Sequence, residues 1–67
     1  MAVNDLAEAL KSMSIELSDT VQRCRKASEK SKDAYAKAYL EGEANAYLVM
    51  KIQVERALRG LNRERSQ

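Results

Sequence analysis

Hydrophobic positions in the first forty residues recur on a heptad. Val3, Leu10, Leu17, Cys24, Ser31 and Ala38 are spaced by seven, and Leu6, Met13, Thr20, Ala27 and Ala34 follow the first five by three. On a helix these two series form one seam, the spacing of paired helices. The seam starts large, with Leu6, Leu10, Met13 and Leu17, and turns small from Cys24 to Ala38. Asn4 is placed to cap the start, with Asp5 and Glu8 complementing the helix dipole in the first turn. The pattern predicts a helix from about residue 4 to about residue 40. Asp19 with Gln22 resembles a capping box, so a break near Ser18–Thr20, giving three helices, is the alternative.

Leu40-Glu41-Gly42-Glu43 carries the clearest punctuation, because glycine readily takes the left-handed conformation that ends helices. The expected turn is 41–43, and the second helix runs from about 44 to about 63. Tyr47, Met50, Val54, Ala57, Leu58 and Leu61 fall within about 100° of arc, a normal core stripe. Leu48, Val49 and Ile52 lie on roughly the opposite side, so residues 46–54 are apolar nearly all round. Their alternation would also suit a strand, but no second run could pair with it.

A helix apolar on two sides is buried on two sides, and a hairpin supplies only one. A first helix of about 37 residues would measure ~55 Å and a second of about 20 only ~30 Å. That leaves Leu6, Leu10, Met13 and Leu17 as an overhang and an oligomer seam. The expected fold is therefore all-α: an antiparallel helical hairpin in one domain, or its three-helix variant. Self-association into a four-helix-bundle-like dimer is its simplest closure.

Composition supports the helical reading. The chain has 67 residues, no proline, two glycines, and no Trp or Phe, and a third of it is charged. A chain this short buries roughly 60% of its unfolded surface, so a lone core is thin. With one cysteine and no histidine it can form neither an internal disulfide nor a zinc cage. Neither a membrane span nor a signal-peptide pattern is evident, and a cytoplasmic protein with Cys24 reduced is expected.

Candidate chemistry narrows further. Without histidine the commonest general base is missing, and no glycine-rich phosphate loop or calcium loop occurs, so an enzyme, a cofactor or a metal site is not expected. Cys24 lies between Arg23 and Arg25, but its heptad position assigns it to packing. Binding surfaces remain. Tyr35 and Tyr39 are i, i+4 neighbours, and with Leu48, Val49 and Ile52 they form the candidate contact patch for a protein partner. Charge is uneven: residues 1–22 are acidic (Asp5, Glu8, Glu16, Asp19 against Lys11), whereas Arg56, Arg59 and Arg63 form a basic ridge on the second helix. That ridge is the nucleic-acid alternative.

The run from Asp33 to Glu43, followed by Lys51 to Arg59, resembles small helical proteins of tailed bacteriophages of Gram-positive bacteria, from the early replication and recombination gene region. The resemblance implies a phage accessory protein acting on host or phage DNA-processing machinery inside the host bacterial cell, and it transfers no functional residue. In size and hairpin form the chain is also similar to the plasmid copy-number regulator that binds paired RNA loops as a four-helix dimer, an analogy of fold alone.

Overall fold

The computed structural model describes the backbone of residues 3–66 and the side chains of residues 4–64. The heptad place given to Val3 lies outside the described side chains. Two α-helices, α1 (Val3–Lys30) and α2 (Ala34–Ser66), are joined by Ser31, Lys32 and Asp33 and pack antiparallel along their lengths. The fold is an all-α helical hairpin.

Its turn comes ten residues before the predicted one. Asp33 makes it: the carboxylate Oδ1 accepts the Tyr35 N–H at 3.0 Å, and its carbonyl accepts the Lys37 N–H at 2.9 Å. That is an N-cap, satisfying amide donors that a helix start otherwise leaves orphaned. On the other side of the turn, the Ser31 N–H donates to the Ser28 carbonyl at 3.2 Å and its hydroxyl donates to the Asp33 carbonyl at 3.2 Å. Gly42 stays inside α2 with an ordinary helical φ. Carrying a glycine in a helix costs about 1 kcal/mol against alanine. Turning at 41–43 would instead leave Leu10 and Leu17, half-buried here, without a facing helix, a larger loss at up to roughly 1.5–3 kcal/mol for each side chain if fully buried.

Helix lengths show the gain. Twenty-eight and thirty-three residues correspond to ~42 and ~50 Å, and the hairpin is a rod of 51 × 15 × 14 Å. The expected overhang of α1 therefore does not exist: α2 runs beside Leu6, Leu10, Met13 and Leu17. Nor does α1 break near 18–20. There the Thr20 hydroxyl donates back to the Glu16 carbonyl at 2.9 Å, Arg23 Nη2 donates to Thr20 Oγ1 at 3.2 Å, and Asp19 lies 3.5 Å from Arg23 Nε. The polar side chains that suggested a restart are used within the helix. Asn4 likewise lies inside the first turn rather than before it.

Between the helices, α1 contributes Ala7, Leu10, Ser14, Leu17, Val21, Cys24 and Ser28, a 3-4 alternation of buried and half-buried positions that Ser31 of the turn continues. One series of the predicted heptad, Leu10-Leu17-Cys24-Ser31, is retained. The other is replaced by Ala7-Ser14-Val21-Ser28, one residue further on. From α2 come Leu40, Ala44, Tyr47, Lys51, Val54, Leu58 and Leu61. Small side chains set this rotation, because they let the backbones approach. Ser28 is buried, with its hydroxyl 3.4 Å from the Lys37 carbonyl and 3.3 Å from Glu41 Oε1. Lys51 lies along the seam and reaches Glu55 at 3.9 Å, its stem covering apolar surface. Ala7, Val21 and Ala44 are the buried apolar residues, and among the described residues no large side chain is fully buried.

Candidate interaction surfaces

Because the seam took the small residues, many large ones were left beside it. On one face of the rod, Met13, Leu17 and Thr20 of α1 meet Met50 and Val54 of α2 around an open groove. The groove continues through Cys24 and Ala27 opposite Leu40 and Tyr47. Leu6 and Leu10, one and two turns before Met13, extend it by helical spacing, as do Ala57 and Leu61 beyond Val54. Both stripes read from the sequence as interior thus lie side by side, half in the seam and half in solvent. Met13 is 46% exposed and Met50 50%. The predicted oligomer seam divides accordingly: Leu10 and Leu17 are half-buried within the hairpin, while Leu6 and Met13 face outward.

Polar groups are sparse on this face, and those of Thr20, Arg23, Cys24 and Glu43 are engaged. The Cys24 thiol, half-buried, donates to Glu43 Oε2 at 3.9 Å. Tyr39, one turn earlier on α2, donates its hydroxyl to the same carboxylate. That hydrogen bond, with the negative charge of Glu43, raises the Tyr39 pKa above its ordinary 10.0.

The outward side of α2 is different. Tyr35, Tyr39, Gly42, Ala46, Val49 and Gln53 recur at alternating spacings of four and three, and all are exposed. This stripe carries no charge over five turns of helix, and Tyr35 is 85% exposed at its start, next to the turn. It holds three members of the predicted partner patch, Tyr35, Tyr39 and Val49. Ile52 is exposed on its flank. Leu48 does not belong with them. It is half-buried over Ser18, Val21, Gln22 and Arg25 of α1, on the seam's other edge. The places of Gly42, Ala46 and Gln53 on this stripe are not legible in the sequence, because small and amide side chains carry little hydrophobic signal. Ile15, exposed beside a groove with Lys11, Ser14, Glu55, Leu58, Arg59 and Asn62, also escaped it, since it belongs to neither heptad series.

Arg56, Arg59 and Arg63 do come together, around one open groove with Asn62 near the end of α2. The hairpin's second face is correspondingly basic, with Lys11, Arg25, Lys51 and Arg59 set against Glu55. Among the described residues, no group of three His, Cys, Asp or Glu side chains is placed to hold a metal ion, and no helix is long and apolar enough to cross a membrane.

The class these features define is a two-helix rod with one apolar face, one basic face and an uncharged outward stripe. The chain matches no protein-family model, no curated protein and no solved structure.

Proposed function

We propose that this hairpin is a non-enzymatic, self-associating accessory protein of the bacteriophage type, which docks on a larger host or phage protein of DNA replication or recombination and modulates it. The observation that carries the docking is the uncharged stripe of α2. Exposed Tyr35, Tyr39 and Val49 are spaced to enter one groove, and Gly42 and Ala46 between them admit close approach of a partner backbone. Tyrosines with an apolar body and a polar tip are enriched at protein interfaces.

The test compares capture of a partner from a bacterial lysate by the parent chain and by Val49→Glu, whose helicity should be unchanged because the side chain points to water. One protein held by the parent and lost with Val49→Glu supports the reading. A capture profile that Val49→Glu leaves intact refutes it. Leu48→Lys does not serve here, since it damages the hairpin seam itself.

The convergence of Arg56, Arg59 and Arg63 favours nucleic acid as the second reading. Phosphate contacts are salt-dependent by counterion release. Binding to a duplex that weakens steeply between 50 and 200 mM salt, and with loss of the three arginines, would support it; insensitivity to both removes it.

A further inference from the structure

We infer that the apolar face centred on Met13, Leu17, Met50 and Val54 receives a second copy of this chain, related by a twofold axis that passes near Thr20 and places the two turns at opposite ends. This rests on the self-association in the proposed function, but not on the identity of any target.

Surface area argues for the occupant. The chain exposes 5282 Å², whereas a compact monomer of this mass exposes about 4,250 Å². The radius of gyration, 15.4 Å, likewise exceeds the ~11 Å of a compact domain of this length. The excess of about 1,000 Å² is close to the ~800 Å² per partner that a stable interface buries. The apolar face runs the length of the rod, so a second rod of equal length covers it end to end and completes a four-helix core.

Charge supplies the orientation. The charged groups lining this face on α1 are Glu16 and Arg23, seven residues apart on the same side of the helix, with Thr20 between them. Arg23 is held along that edge by Asp19 and by the Thr20 hydroxyl. When α1 lies antiparallel on α1 of the other copy, Glu16 of each meets Arg23 of the other, twice. On α2 this face is lined by Leu40, Tyr47, Met50 and Val54, and its one charged group among the described residues, Glu43, accepts from the Cys24 thiol. The basic face and the outward stripe of α2 stay open.

Mass measured by light scattering at 10–100 µM tests the proposal. The parent chain is expected at about 15 kDa, twice its 7.5 kDa. Met13→Glu/Met50→Glu, at two exposed sites, should lose the dimer, and Val49→Glu should keep it. Glu16→Arg should weaken association several-fold and Glu16→Arg/Arg23→Glu should restore it. Should the Met double variant fail to fold, single-cysteine chains decide. Thr20→Cys/Cys24→Ser should form an intermolecular disulfide, and Ile15→Cys/Cys24→Ser, on the basic face, should not. A dimer that survives Met13→Glu/Met50→Glu and is lost with Val49→Glu, or that crosslinks through residue 15 and not 20, overturns this interface while self-association stands. A cooperatively melting 7.5 kDa monomer overturns both.

Discussion

Replacing Gly42 with alanine tests where this chain turns. In the hairpin Gly42 is an interior residue of α2 with helical φ, exposed, and an added Cβ there meets nothing within 4 Å. The whole difference in helix propensity should then be realised, a gain of about 1 kcal/mol. Had Gly42 been the left-handed residue of a turn at 41–43, the same methyl would cost roughly 1–2 kcal/mol. The two architectures therefore predict opposite signs, not merely different sizes. For a domain of 60–100 residues, 1 kcal/mol at the midpoint moves Tm by about 4–8 °C. Melting followed by circular dichroism reads this directly, at one fixed protein concentration because self-association makes Tm concentration-dependent. Gly60, also helical and also open around its Cβ position, lies eighteen residues away, ~27 Å along α2. The two substitutions should thus add. A Tm lowered by Gly42→Ala would show that the turn at Ser31–Asp33 is misplaced.

Other substitutions probe the turn, the seam and the one perturbed tyrosine. Asp33→Ala removes the cap of α2 and should cost about 1 kcal/mol in urea unfolding, while Asp33→Asn keeps most of it; equal losses would deny the cap. Ser28→Leu puts a large side chain at a buried position against Lys37 and Glu41 of α2, and overpacking of about 1–3 kcal/mol is expected; a variant as stable as the parent would show that the helices are not in close contact there. Tyr39 should titrate above pH 10.0, because its hydrogen bond to Glu43 and the charge of that carboxylate favour the protonated phenol in the fold. Its contribution to stability is present below pH 10.0 and is lost as pH rises through the raised folded value. Phenolate absorbance of the parent minus that of Tyr39→Phe isolates the step, and Glu43→Gln should lower it; a difference midpoint at or below 10.0 contradicts the hydrogen bond.

Much of this was legible along the chain, and the misreadings are specific. Gly42 drew the turn because glycine permits a left-handed residue, yet permission is not a driving force. Asp33 gives only a weak cap signal in the sequence, because an aspartate followed by Ala-Tyr-Ala lacks the glutamate or glutamine of a capping box. Leu48 was grouped with Val49 and Ile52 by its angle on an isolated helix, although the seam of this hairpin reaches round far enough to cover it. Arg56, Arg59 and Arg63 line one groove as their spacing implies, since residues three and four apart on one helix are neighbours whatever the helix packs against.

The sequence by itself determined that the chain is all-α, that its large apolar side chains form stripes, and that neither a histidine nor an internal disulfide is available to it. These are local properties, set by spacing, propensity and composition. Tertiary structure alone decided which side of each helix turns inward. That choice depends on both helices at once: equal lengths hide the most surface, and the small side chains Ala7, Ser14, Ser28 and Ala44 let the backbones close. Leu6, Met13 and Met50 are consequently left on a shared outer face beside the half-buried Leu10 and Leu17, which no single helix could have revealed.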